Sequence, residues 1–416
     1  MIKRMFTLGL VLLFQISVWL GTASPVLALS AQQQLFNEAW RIVNQAYLDD
    51  SFNHQNWWLV RQKALKQPLP DQAAAYDAIQ TMLASLDDPF TRLLKPDQYQ
   101  SLQTSTTGEL SGVGLQITQN PETGYLEVIT PIEDSPAALA GVQPADQILQ
   151  IDHVLTTNLT LDEAAERMRG PVGTAVQLKI QRSSQEDQDQ VLDLNVIRDR
   201  ISINPVQASL ERPSGGPIIG YIRLRQFNAN ATSEMKQAIE RLEAQGATAY
   251  VLDLRNNPGG LLQAGVEIAR LWLDSGPIVY TVDRQGVFDN FMANGPALTH
   301  APLVVLVNRG SASASEILAG ALQDTGRAQL VGERTFGKGL IQSLFNLSDG
   351  SGLAVTIAKY ETPNHTDINK VGITPNLVIP QDLLRMNEMA TPADIQYQAA
   401  LDLLTQPAVI AGAPSS

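Results

Sequence analysis

The chain has 416 residues, 44% of them hydrophobic and 17% charged, so it can bury two or three real cores and is not disordered on a large scale. Its net charge of −13 disfavours nucleic acid as a partner, and the absence of cysteine rules out disulfides and a thiol nucleophile. The four histidines, His54, His153, His300 and His365, fall outside any H-E-x-x-H or paired His/Cys spacing, so neither a metal nor a cofactor is expected.

Lys3 and Arg4 precede a mostly apolar run, Met5 to Leu20, and then "GTASPVLALS" with small residues suited to a signal peptidase. Residues 1–30 therefore read as a secretory leader, with an uncleaved anchor as the alternative. Removing the two leader cations takes the net charge from −13 to −15, and the mature protein is expected to be exported and soluble.

Residues 31–104 read as helical. Phe36, Trp40, Val43 and Tyr47 recur at three- and four-residue steps, and Ala75, Ile79, Met82 and Leu86 repeat the pattern. This region is expected to be a packing module without chemistry. Residues 105–185 change character, with alternating runs such as "YLEVIT" and "VQLKIQR" and one amphipathic helix from about Leu161. From 186 to 390 strands and helices interleave, as in "TAYVLDL", "LLQAGVEIARLWL" and "PLVVLVN", which predicts an α/β layered core. Residues 391–416 are expected to form a C-terminal helix and a frayed tail.

Three segments of the core carry the chemistry. The stretch "GERTFGKG" reads G-x-x-x-x-G-K, but Gly339 stands where a phosphate loop needs Ser or Thr. The residues that follow, "LIQSLFNL", read as a strand and not as the helix that such a loop opens. Lys338 is then either a surface lysine in a glycine turn or a catalytic group. Upstream, "GSASASEILAGALQD" places Ser311, Ser313 and Ser315 at a helix start, where free amides can stabilise an oxyanion. Serine needs a base, and a lysine can serve when neutral. From a reference pKa of about 10.4, half-neutrality near pH 7 requires a drop of about 3.4 pH units, roughly 4.6 kcal/mol. Burial supplies drops of that size, and Gly337 and Gly339 allow close packing around the lysine. The third segment, "DLRNNPGG", joins a buried strand to a helix, and Gly259 or Gly260 can offer an amide to a substrate carbonyl.

In this order the three segments resemble the carboxyl-terminal processing peptidases, or tail-specific proteases, almost letter for letter. The resemblance extends over essentially the whole mature chain. It implies a serine endopeptidase with Ser313 as nucleophile, Lys338 as base and Gln342 orienting the lysine. It places the oxyanion hole at the amides of Gly259 and Ala314, and an accessory acid at Asp324. Ser313-x-x-Glu316 is also a capping box. In a regular strand Lys338 and Gln342 would lie roughly 13 Å apart, so a bend near Gly339 is predicted. The domain over 105–185 resembles a PDZ domain, with "SGVGLQI" as its carboxylate loop. Gly112, Val113, Gly114 and Leu115 are the implied peptide-binding residues, and Arg169 matches a residue that couples binding to activity in relatives. Within the family, "LDDPFTRLL" and "YETPNHTDINKVGITP" resemble cyanobacterial, algal and chloroplast members. Those remove a C-terminal extension from a photosystem II reaction-centre precursor. The implied partner is a protein with a free C-terminal tail, membrane proteins included, in the thylakoid lumen or periplasm. The rival reading is a non-catalytic tail-binding or chaperone-like protein on a peptidase scaffold.

Overall fold

The computed structural model describes residues 29–405 apart from 133, 184–189, 214–215, 287, 383 and 386. The leader and the frayed tail of the sequence reading lie largely or wholly outside the described residues. Two compact units form, one from residues up to Pro96 with Gln342–Thr356, the other from Asp97–Ile341 with the chain from Ile357 onward.

In the first unit, helices Ala31–Ala46, Trp57–Leu65 and Gln72–Ala84 precede a short strand, Arg92–Leu94. Each helix starts where its sequence says it should. Ser30 and Gln33 form a capping box, and Asn56 and Asp71 accept from the amides of Leu59 and Ala74. The predicted apolar faces are buried: Phe36, Trp40 and Val43 on one helix with Tyr47 as its C-cap, and Ala75, Ile79 and Met82 on another with Leu86 in the turn that follows it. Strand Arg92–Leu94 pairs antiparallel with Gly352–Ala354. The turn before that strand is held by Asp349, which accepts from Tyr76 Oη at 2.7 Å and Gln72 Nε2 at 2.9 Å.

Two six-stranded sheets in the second unit are built on different rules. Strands Leu115–Gln119, Leu126–Pro131, Gln147–Ile151, Ala175–Arg182 and Gln190–Ile197 form an antiparallel sheet in that order. Helix Leu161–Met168 packs on it through Ala164 and Met168. Before and after this inserted domain the chain runs as two strands, Glu109–Gly112 and Asp199–Ser202, which pair with each other.

The other sheet has the order Val206–Glu211, Ile219–Leu224, Ala249–Asp253, Leu303–Val307, Gln329–Gly332, Leu377–Val378. Its first pair is antiparallel and the rest are parallel. Both faces are covered, so the strands read as continuous apolar runs. Tyr250, Leu252, Leu303, Val305 and Val307 face helices Ala231–Ala244, Leu262–Arg270 and Ala314–Asp324. Val251, Val304, Leu306 and Val331 face helix Ile395–Thr405. Helix Ala231–Ala244 ends as predicted at Gly246, whose φ of 95° lets Gly246 and Ala247 return bonds to Glu243 and Leu242.

A buried ion network joins this sheet to the C-terminal helix. Arg255 donates to Asp253 and to both oxygens of Asp394, and Tyr221 Oη donates to Asp253 at 2.7 Å. Burial disfavours the charged form of Asp394, but its hydrogen bonds and attraction to Arg255 outweigh this and hold the carboxyl below its usual range. A depressed folded pKa stabilises the protein above the unfolded value, about 3.9, and that stabilisation is lost as pH falls through the folded value. Asp394→Ala is therefore expected to cost about 3 kcal/mol near neutral pH and to flatten the loss of stability below about pH 4. Urea midpoints measured across that range check both parts.

Candidate active site

The three motif segments leave the carboxyl ends of three adjacent parallel strands, Ala249–Asp253, Leu303–Val307 and Gln329–Gly332. That edge of an open α/β sheet is where ligands bind as a rule. Segments up to 80 residues apart in sequence are brought together there.

The three serines occupy different environments. Ser311 and Ser315 are fully buried, and their hydroxyls donate to the Leu254 and Asn257 carbonyls, each at 2.8 Å. Ser313 is half-buried and sits at φ 56°, ψ −116°, just before helix Ala314–Asp324. A non-glycine residue held there costs about 1–3 kcal/mol, and the same strained strand-to-helix turn presents nucleophilic serines in other hydrolases. The return half of the capping box is made, with Glu316 Oε2 accepting from Ser313 N–H at 2.9 Å. The Glu316 amide also bonds the Ser313 carbonyl at 2.8 Å.

Glu316 does much more than cap. Fully buried, it also accepts from Thr335 Oγ1 at 2.6 Å, Gly337 N–H at 2.7 Å and Lys338 N–H at 2.9 Å. One oxygen thus holds the amides of Ser313 and Lys338, which keeps the two nitrogens no more than about 5.8 Å apart. Tyr360, buried at 1% exposure, ties the same two residues from their other side. Its hydroxyl bonds the Lys338 carbonyl at 2.7 Å and the Ser313 carbonyl at 3.1 Å. Burial, and then the charge of Glu316, push this phenol well above its ordinary value, so it stays a donor at any working pH.

Lys338 is half-buried, not fully enclosed. Its glycine neighbours are packed as expected. A Cβ on Gly337 would lie 2.8 Å from Gly372 N, and one on Gly339 would lie 2.8 Å from Asn369 N. The strand Leu340–Asn346 starts only after Gly339, so the phosphate-loop geometry of strand followed by helix is not present. Gln342 belongs to the first unit, where its Nε2 is buried without a hydrogen-bond partner among the described residues.

Gly259 packs against the serine turn. With φ 95°, an added Cβ would fall 2.6 Å from the Ala312 carbonyl and 2.9 Å from both Ala314 N and Ser313 Cβ. Its own amide, however, donates to Asn257 Oδ1 at 2.9 Å across Pro258, in an Asx turn. The Ala314 amide opens the helix. Asp324 lies at the far end of that helix, roughly 16 Å along it from Ser313. There it accepts from Thr362 Oγ1 and from Asn364 N–H at 2.9 Å, so it fixes the turn after Tyr360 and does not reach the serine.

In the inserted domain, Leu115–Gln119 is an edge strand whose Leu115 and Ile117 pack beside the helix that carries Ala164 and Met168. An edge strand next to a helix is the geometry that takes a peptide as an added strand. Val113 is buried, and Gly114 has φ 80° with no room for a Cβ, which would lie 2.3 Å from Ser135 Cβ. Gly112 ends the strand before this loop, and Arg169 is exposed at the end of helix Leu161–Met168.

Residues missed in the sequence reading are Tyr360, Thr335 and Asn257, and the wider role of Glu316. Glu316 left a signal as the last letter of the capping box, and Asn257 left one as the first letter of the Asn-Pro-Gly turn.

Residues 218–379 match the model of peptidase family S41, and residues 127–182 match a PDZ domain. A carboxyl-terminal-processing protease of Synechocystis sp. is 58% identical over 100% of this chain and 96% of its own. The chloroplastic carboxyl-terminal-processing peptidase 2 of Arabidopsis thaliana is 47% identical over 91% of this chain and 75% of its own. The solved structure of a photosystem II D1 C-terminal processing protease is 40% identical, covers 90% of this chain and 100% of its own, and superposes with a TM-score of 0.55. With the sheet edge, the strained serine and these relatives in hand, the chain belongs to peptidase family S41 and is a serine peptidase of the carboxyl-terminal-processing kind.

Proposed function

We propose that the chain cuts carboxyl-terminal tails with Ser313 as nucleophile and Lys338 as general base. The observation that carries this is the double tie of Glu316 and Tyr360, which fixes a strained, reachable serine beside one lysine. Neutral Lys338 Nζ takes the proton from Ser313 Oγ as Oγ attacks the scissile carbonyl. The oxyanion forms at the start of helix Ala314–Asp324, where the Ala314 amide and the helix dipole favour negative charge. The Gly259 amide becomes a second donor once it exchanges Asn257 Oδ1 for the substrate oxygen. On collapse the amine leaves with the proton from Lys338, and water, deprotonated by the same lysine, hydrolyses the acyl-enzyme. Gln342 orients the lysine.

The tail is held by the PDZ loop Gly112–Leu115, whose backbone receives the terminal carboxylate while the peptide adds to the edge strand. The substrate that suits the relatives is the C-terminal extension of the photosystem II D1 precursor, met in the thylakoid lumen or periplasm after export. Among the described residues no helix is long and apolar enough to cross a membrane.

A peptide copying such a tail should be cleaved, and the same peptide amidated at its C-terminus should lose about tenfold or more in kcat/KM, mostly through KM. Equal cleavage of the two forms would remove carboxylate reading from the scheme. Tail binding by the wild type with no turnover would favour the binding-protein alternative.

A further inference from the structure

The structure assigns to Asn228 and Asn230 a positioning role: they couple the posture of the inserted PDZ domain to the Gly259–Leu261 loop. This rests on the reading of that loop and Ser313 as the reaction centre.

The domain is carried on two chain crossings, strands Glu109–Gly112 and Asp199–Ser202. At their base, Ile203 N–H bonds the Gly108 carbonyl at 2.7 Å. Both crossings land on the asparagine pair. Asn230 Nδ2 donates to the Gly108 carbonyl and to Ser202 Oγ, each at 3.1 Å. Asn228 Nδ2 donates to the Ile203 carbonyl at 3.2 Å, and Asn228 Oδ1 accepts from Asn230 N–H at 3.0 Å. The Ala229 amide between them bonds the Thr106 carbonyl at 3.0 Å. Gly108, at φ 68°, is where this closeness demands glycine: a Cβ would sit 2.5 Å from Asn228 Nδ2 and 2.8 Å from Asn230 Nδ2.

Asn230 stands at the N-cap of helix Ala231–Ala244, where an asparagine side chain ordinarily accepts from the helix's own amides. It makes no such bond; its amide is turned to the hinge. That choice forgoes a local cap for two contacts over 100 and 28 residues away in sequence.

The adjacent residue, Phe227, is fully buried and bound to the catalytic loop on both sides. Its N–H donates to the Gly259 carbonyl at 3.0 Å, and its carbonyl accepts from Leu261 N–H at 2.7 Å. Gly260 leaves no slack, since a Cβ there would lie 2.2 Å from the Phe227 carbonyl oxygen. A close-packed segment of this kind transmits a shift and does not absorb it. The loop is also the place where a small shift matters, because the Gly259 amide must leave Asn257 Oδ1 to face a substrate. A groove of about 860 Å³ beside the hinge, bordered by Ser111, Arg169, Arg200, Gln226 and Asn228, gives the domain room to change posture.

The test measures the rate at which a fluorophosphonate phosphonylates Ser313 with loss of fluoride, with and without a short free-carboxylate peptide that fills the PDZ groove but cannot reach the serine. In the wild type the peptide should change the rate by at least about fivefold, the lower end of ordinary coupling between sites. In Asn230→Ala and Asn230→Asp the peptide should bind with unchanged Kd and alter the rate by less than about twofold. Aspartate keeps a good N-cap while losing the donors to Gly108 and Ser202, so helix stability is separated from coupling. Retention of the wild-type rate change in both variants overturns the proposal, as does a wild type whose labelling ignores the peptide. A wild type that is never labelled at Ser313 overturns instead the reading of the reaction centre, and the proposal with it.

Discussion

Ser313→Ala and Lys338→Ala should each lower kcat on a tail peptide by about 10⁴-fold or more, and the double variant should be no worse than either. Groups that act as one unit give such non-additive losses. Both variants should bind the tail peptide with unchanged Kd, because the PDZ residues are elsewhere in the chain. Lys338→Arg separates the two possible uses of the lysine. Arginine keeps the charge but never gives up its proton, so it cannot serve as base. If Lys338 supplied only positive charge, the arginine variant would keep substantial activity. Expected instead is a loss as large as that of Lys338→Ala. Ser313→Gly adds a stability readout: glycine is at ease at φ 56°, so this inactive variant should be no less stable than the wild type.

Local physics was legible in the sequence wherever one element answered to its own residues. The helix from Ala231 ends at Gly246 because a Schellman turn needs that residue, and Tyr250–Leu252 reads as a buried strand because both its faces are covered. The motif segments were legible as separate blocks. What could not be read was how they are tied together. Thr335, Gly337 and Lys338 reach Glu316 from 19 to 22 residues downstream, and Tyr360 reaches Ser313 from 47 residues downstream. No local period or composition encodes those distances: the order of parallel strands brings the segment after Gln329–Gly332 to Glu316, and Tyr360 comes from a different sheet, on a strand that pairs antiparallel with Ser275–Asp283. The Gly259 amide is a subtler case. Asn-Pro-Gly predicts a turn, but whether its amide faces the turn or the cleft depends on the Asn257 side chain, which is fixed by its bond to the Leu224 carbonyl on the next strand.

Glu316→Gln should fold and yet lose about 10²- to 10³-fold in kcat with little change in KM. The substitution is nearly isosteric, so packing of the fully buried side chain is preserved. A carboxylate offers two acceptor oxygens, and all of the bonds it makes here need acceptors. Glutamine keeps one oxygen, which can stay with Thr335 Oγ1 and Gly337 N–H. Its –NH₂ then faces the amides of Ser313 and Lys338, donor against donor, where Glu316 Oε2 now accepts from both at 2.9 Å. Two buried amides lose their acceptor at about 1–3 kcal/mol each, so stability should fall by roughly 2–6 kcal/mol. The repulsion also pushes apart the two residues whose spacing the reaction needs, while Tyr360 holds only their carbonyls. A misplacement of about 1 Å is worth on the order of 100-fold in rate. In the proposed scheme the tail binds the PDZ edge strand, which this substitution does not touch, so the loss belongs in kcat. If Glu316 were only the N3 member of a capping box, glutamine, which also serves there, would leave kcat within a few-fold of wild type. Steady-state kinetics of this one variant beside its urea midpoint therefore decide whether the buried carboxylate is a helix cap or the joint that holds serine to lysine.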